Sequence, residues 1–206
     1  MRLGLITDIH EHVGHLRSAL ARLADLGVDR IVMLGDVFET GGRIEETCRL
    51  LGDAGVIGVW GNHDFGLCVD VSAEIRTRYP SVVLQYMASL QPRLVIGDCL
   101  FTHVEPWLDP ENLVDLWYFD GPPGDQESRE RIFGAAPHRF LFSGHMHRWL
   151  LATPEVICPW KGEGPIRFDR GRYFIAVGAL CDGRYATFDT QSLELCPFQE
   201  QTTGAG

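Results

Sequence analysis

Two histidines one residue apart close the apolar run RFLFSGHMHR at 139–148, and other short apolar runs in the chain stop in the same manner. The run at 3–6 leads through Thr7 into Asp8-Ile-His10. The run at 30–34 ends in Gly35-Asp36, and the run at 56–60 in Gly61-Asn62-His63-Asp64; Thr102 is followed by His103. Carboxylates, amides and imidazoles are side chains that ligate divalent cations and carry protons. In an extended segment residues two apart face the same way, so His145 and His147 are expected side by side at a strand end. Each piece alone is weak, since an Asp-x-His is a common accident and a strand-end Asp is often a turn residue or N-cap. Five in order point to one shared site, because ligands of open α/β sheets bind beyond the carboxyl ends of strands.

The elements that must position these residues follow from hydrophobic spacing. Val13, Leu16, Leu20, Leu23 and Leu26 recur at helical intervals, with Gly27 as the stop. Ile44, Cys48 and Leu51 mark a second helix ending near Gly55. Strands alternating with helices predict a mainly parallel sheet. Further along, a helical region is expected at 72–89 and a hairpin at 93–102 through Gly97-Asp98. Residues 104–137 are rich in Pro, Gly and acid and read as a partly helical, lid-like excursion. Strands near 172–177 and 184–189 are expected to form a hairpin through Cys181-Asp-Gly-Arg184. The organisation predicted is one domain over 1–200 with a frayed tail at 201–206.

The ordered series Asp8-x-His10, Gly35-Asp36, Gly61-Asn62-His63-Asp64, His103 and Gly144-His145-x-His147 closely resembles the calcineurin-like metallophosphoesterases, and more the small prokaryotic phosphodiesterase branch than the protein phosphatases. The resemblance implies an α/β fold, a four-layer α/β/β/α sandwich with a dinuclear metal site at the strand C-terminal ends. Carried over by position, it places Asp8, His10 and His147 on one ion and Asn62, His103 and His145 on the other, with Asp36 bridging. The mixed nitrogen and oxygen donors suit manganese, iron, zinc, cobalt or nickel better than calcium, manganese or iron being favoured. The implied activity is hydrolysis of a small-molecule phosphodiester or phosphomonoester, nucleotide-type esters among the candidates, by in-line attack of a metal-bridging hydroxide. Two ions about 3.5–4 Å apart can clamp a phosphoryl group in this way. His63 is the expected general acid, with Asp64 setting its tautomer or raising its proton affinity.

Departures from the family pattern bear on substrate. Protein phosphatases of the family carry an arginine before the Gly-Asn-His segment and another after the Gly-Asp; here Trp60 and Val37 stand there, which argues for a phosphodiesterase over a phosphoprotein phosphatase. Glu11-His12 replaces the Gly-Asn common in the small phosphodiesterases, so His12 is a candidate rim contact. Trp107 and Trp117, with Tyr118 and Phe119, are candidates for an apolar wall beside a base or aryl leaving group. Their alternative role is to pack the excursion onto the body. Arg148 is a candidate phosphate contact. The competing reading is a catalytically weak member of the family serving as a protein-binding module.

Composition narrows the partners. The chain has 206 residues, 45% hydrophobic and 22% charged, with 18 basic against 28 acidic residues and a formal net charge of −10. That balance disfavours non-specific nucleic acid binding and a basic membrane-facing surface, but not an anionic substrate held through metal ions. The six cysteines are scattered without C-x-x-C spacing and read as reduced thiols. With neither a signal peptide nor a membrane-length apolar run evident, the expected setting is the cytoplasm. Oligomeric state is not legible.

Overall fold

The computed structural model describes residues 1–200; the tail expected to fray at 201–206 lies outside the described residues. The chain begins with β1 (Arg2–Ile6), α1 (Val13–Asp25), β2 (Arg30–Leu34), α2 (Ile44–Asp53) and β3 (Ile57–Val59). Three short helices follow, α3 (Phe65–Cys68), α4 (Ala73–Arg78) and α5 (Ser81–Met87), then the hairpin β4 (Leu94–Ile96) and β5 (Cys99–Phe101). The excursion holds α6 (Leu113–Leu116) and α7 (Gln126–Gly134). After it come β6 (Phe140–Ser143), β7 (Leu150–Ala152), β8 (Ile157–Cys158), β9 (Ile166–Arg167), β10 (Tyr173–Ala176), β11 (Arg184–Asp189) and β12 (Glu194–Gln199). The helical region expected at 72–89 is split because Pro80 donates no N–H and holds Tyr79 extended, with ψ 143°.

Instead of one mainly parallel sheet there are two mixed six-stranded sheets, ordered β3-β2-β1-β11-β12-β9 and β4-β5-β6-β10-β7-β8. Parallel pairing joins β1, β2 and β3 in the first sheet and β5, β6 and β10 in the second. The antiparallel pairs β1–β11, β11–β12, β4–β5 and β10–β7 make both sheets mixed.

Period-two alternation builds the layers. Leu3, Leu5, Val32 and Leu34 of the first sheet meet Phe101, Phe140, Phe142 and Ile175 of the second in a central apolar seam. The alternate residues Ile6, Ile31 and Met33 face outward onto Leu16, Leu23, Cys48 and Leu51 of α1 and α2. On the other side Leu100, Leu141 and Phe174 cover Ile132 and Phe133 of α7. Helix, sheet, sheet and helix therefore form the four-layer sandwich.

The hairpin expected between 172–177 and 184–189 does not form. β10 pairs with β6 and β7 in one sheet, while β11 pairs with β1 and β12 in the other. The connection crosses between sheets, pinned where Leu180 N–H donates to Thr7 O (2.8 Å) and Cys181 N–H to Asp8 O (3.0 Å). A turn signal such as Cys181-Asp-Gly-Arg184 shows where the chain reverses, not which sheet each strand joins.

Phe188 is fully buried in the seam, 4.9 Å from the ring of Phe140 and 5.3 Å from that of Phe142. Replacing it with alanine is expected to cost about 3–5 kcal/mol in denaturant unfolding. Val114→Ala, at a residue 76% exposed, is expected to change stability by less than about 0.5 kcal/mol.

Candidate metal centre

The loops after β1, β2, β3, β5 and β6 meet at the same end of the sandwich and bring seven polar side chains together. Asp8 Oδ1 lies 3.3 Å from His147 Nε2, which lies 3.2 Å from His10 Nε2. Asn62 Oδ1 lies 2.9 Å from His103 Nε2 and 3.1 Å from His145 Nδ1. Asp36 stands between the two groups, with Oδ2 3.3 Å from His103 Nε2 and 3.7 Å from His10 Nε2. Asp8, Asp36, Asn62 and His103 are buried.

The extended geometry expected at His145-x-His147 is not what places these rings. β6 stops at Ser143, and His145 and His147 have φ of 64° and 50°. Left-handed backbone turns the two rings apart, His145 toward Asn62 and His147 toward Asp8. Asp8, His10, Glu11 and Asp36 also have positive φ, between 45° and 59°. Such conformations cost about 1 kcal/mol or more for a residue with a Cβ and persist where the surroundings enforce them. Gly61 serves the same crowding, because a Cβ there would overlap the Asp36 carboxylate.

The donor set calls for cations. His103 Nδ1 lies 2.7 Å from the Leu34 carbonyl, which only accepts, so Nδ1 carries a proton. Its Nε2 therefore turns toward the Asp36 carboxylate, an arrangement a neutral ring satisfies only with a cation between the two. Carboxylate, amide oxygen and imidazole together fit a borderline divalent ion. Protons are drawn to the same seam. Burial resists charge on His103, but Asp36 carries its pKa up to about 9. The Asp8 hydrogen bond, then Cys181, takes His147 up to about 10. Burial and the neighbouring His103 push His145 down to about 4. Burial also opposes ionisation of Asp36, yet His103 and His10 hold it far below the usual carboxylate range.

Two acidic residues act on the backbone. Asp64 is fully buried, and its oxygens accept N–H groups from Asp36 (2.8 Å), Val37 (2.9 Å), Phe38 (2.9 Å) and Gly61 (3.0 Å). Burial and the Asp36 charge push its pKa up to about 7 against those donors. The expected role of Asp64 on the His63 ring is thus corrected: both oxygens are committed to amides. The carboxylate facing His63 is Glu39, with Oε2 3.8 Å from His63 Nδ1 and 2.8 Å from His10 Nδ1. The His10 approach lacks hydrogen-bond alignment, so buried Nδ1 has no hydrogen-bond partner among the described residues. Glu11 sets the Glu39 loop, accepting N–H groups from Glu39 (3.0 Å), Gly41 (2.6 Å) and Arg43 (2.6 Å). No sequence signal marked Glu39, which sits in a Gly-rich loop without periodicity.

The rim candidates separate. Trp117, 55% exposed, lies with its ring 5.2 Å from that of His63, and Phe119 lies 5.9 Å from His145. Trp107 instead packs the excursion, its indole N–H donating to Glu105 (2.6 Å) under the Arg131 guanidinium. His12 is exposed at the start of α1 and stacks on His15 at 5.9 Å. Arg148 is exposed, with Nε donating to the Met146 carbonyl (3.4 Å) rather than reaching the seven side chains.

An ion held by His103 and His147 would have to displace the protons that the neighbouring carboxylates favour on these rings. Titration with Mn²⁺ at pH 7 in weak buffer is expected to release about two protons per chain, with affinity rising as pH rises. Without metal, the raised histidine pKa values stabilise the fold fully below 6.5, a contribution lost as pH passes about 9 and about 10. Glu39→Ala is expected to lower metal affinity or turnover about 10–100-fold with an unchanged melting temperature. Asp64→Asn, which turns an amide donor toward backbone N–H groups, is expected to cost about 1–3 kcal/mol of stability.

Residues 1–191 match the family model for the calcineurin-like phosphoesterase superfamily domain. An uncharacterized protein of Methanocaldococcus jannaschii is 28% identical, over 94% of this chain and 84% of its own length. A metallophosphoesterase from Sphaerobacter thermophilus superposes with a TM-score of 0.77 at 24% identity, over 98% of this chain and 88% of that one. A putative diadenosine tetraphosphatase shares the fold with a TM-score of 0.59 at 20% identity, over 98% and 94% of the two chains. A match that runs through all five of these loops places the chain in the calcineurin-like phosphoesterase superfamily, a family of metal-dependent phosphoester hydrolases.

Proposed function

We propose that the protein hydrolyses a small-molecule phosphodiester, with Asp8, His10 and His147 holding one divalent ion and Asn62, His103 and His145 the other. The observation that carries this reading is Asp36, one buried carboxylate within 3.3–3.7 Å of an imidazole nitrogen from each group. When bound, the ions supply Lewis acidity to the phosphoryl oxygens and make water a nucleophile at neutral pH.

The chain's own residues do the rest. His63 is the proton donor to the leaving oxygen: its ring is 28% exposed, so it reaches the substrate side. Its backbone N–H donates to Asp36 Oδ1 (3.0 Å), which ties the ring's base to the site. Glu39 faces Nδ1, so in the imidazolium the Nδ1–H is directed to that carboxylate and the Nε2–H is the proton available to the leaving oxygen. Trp117 and Phe119, on the 104–137 excursion, form the apolar rim. Among the described residues, Asp8, Asp36 and Glu39 pair with histidines and with no arginine or lysine. Phosphate charge at the centre then falls to the ions alone, which suits a monoanionic diester better than a dianionic monoester. All six cysteines are free, which fits a reducing compartment such as the cytoplasm.

A panel of Mn²⁺, Fe²⁺, Co²⁺, Ni²⁺ and Zn²⁺ against aryl and alkyl mono- and diesters tests the reading. Diester turnover is expected with at least one ion, and silence across the panel would return the chain to the binding-module alternative. His63→Ala is expected to lose about 10²–10⁴-fold on an alkyl diester and much less on a p-nitrophenyl diester, whose phenolate departs unprotonated. Its metal content should not change. Equal losses on both substrates would remove the general-acid role.

A further inference from the structure

A cavity of about 740 Å³, within the usual size of a small-molecule site, is lined by the neighbours of His147 rather than by the seven side chains themselves. Its connection to the centre is covalent and hydrogen-bonded. Arg148 lines it and directly follows His147; Arg184 lines it and donates from Nη1 to the His147 carbonyl (3.0 Å). Pro122, on the excursion that carries Phe119 to His145, also lines it.

The lining combines two kinds of group that recur in sites for charged aromatic ligands. Trp149 and Trp160 stand edge to face, with centroids 5.6 Å apart. Gly162 has φ +84° and lies where a Cβ would overlap the Trp149 indole, so the 160–164 loop rests directly on that ring. Trp160 Nε1 donates to the Gly164 carbonyl (2.9 Å), which closes the same loop. The aromatic wall is thus preformed. Around it are Arg148, Arg184 and Lys161, the only lysine in a chain of net charge −10. Among the described residues neither Arg148 nor the Lys161 ammonium forms a salt bridge, although the Glu163 carboxylate also lines the cavity and accepts the Lys161 backbone N–H (2.7 Å); Arg184 pairs with Asp182 at 3.4 Å.

We propose that this cavity binds the part of the substrate that is not displaced: a nucleobase stacked on Trp160 and the anionic phosphates beside it, held by Lys161 and Arg148. The inference rests on the phosphodiesterase reading and narrows its substrate class to a dinucleotide or dinucleoside polyphosphate. Stacking on a preformed indole is tolerant of base identity, and the cations supply charge selection.

The test titrates the metal-loaded protein with a methylene-bridged ADP analogue, following tryptophan fluorescence, beside adenosine and inorganic phosphate. The analogue is expected to bind about 10-fold or more tightly than either fragment, and Lys161→Glu and Trp160→Ala are each expected to weaken it about 10-fold. Lys161 is exposed, so its variant stays informative if Trp160→Ala loosens the loop. In turnover, the kcat/KM ratio for a dinucleoside polyphosphate over bis(p-nitrophenyl) phosphate should fall about 10-fold in both variants. Analogue binding indifferent to both variants, alongside normal diester turnover, would overturn the cavity assignment alone. Binding that weakens in Lys161→Glu without turnover of any phosphoester would uphold the cavity and overturn the phosphodiesterase reading.

Discussion

The carboxylate of Asp64 accepts four main-chain N–H groups from two loops, and the placement of Asp36 follows from it. Three of those donors lie at 36–38 and one at Gly61, so the carboxylate welds the end of β2 to the end of β3. A buried charge is costly unless hydrogen-bonded, and the four backbone N–H groups offset part of the cost that burial and the Asp36 charge impose on Asp64. The left-handed backbone at Asp36 is then sustained by its surroundings. Glu11 repeats the device one loop away, gathering three amides at 39–43 and delivering Glu39 to the His10 and His63 rings.

Electrostatics make the centre a cation site inside an acidic protein. Asp8 and Asp36 are buried among imidazoles, and His103 and His147 are the rings whose proton affinity rises most. Thr7 strengthens the arrangement by donating to Asp8 Oδ2 (2.7 Å), and the His145 amide donates to the same carboxylate. The carboxylates are thereby oriented before any ion arrives, which lowers the reorganisation that binding requires. The net charge of −10 says nothing against this, because the local field is set by a handful of groups.

Several features of the fold were legible and others were not, for identifiable reasons. The β1-α1-β2-α2-β3 succession is written in long apolar periodicities, since each strand and helix buries a face against its sequence neighbour. That the polar residues after these strands converge was readable too, because parallel strands share an end. The strands β7, β8 and β9 have two or three residues each, too short for a period to register. The separation of β10 from β11 depends on pairing with β6, and with β1 more than 170 residues earlier, contacts that no local pattern records. The opposite facing of His145 and His147 arises from positive φ at ordinary residues, which sequence spacing alone reads as extended chain.

Residue type and order along the chain were enough to identify which side chains could ligate, because ligating chemistry is a property of the side chain and strand ends are local. They were enough, too, for the family and its layered α/β architecture. Only the tertiary structure decided what each acidic residue does. Asp64 and Glu39 carry the same functional group, yet one is consumed by amides and the other faces two imidazoles. The same holds for the aromatic candidates, with Trp117 at the rim and Trp107 in the packing. A carboxylate's role is fixed by which donors surround it, and those donors come from loops brought together by sheet pairing rather than by proximity in sequence.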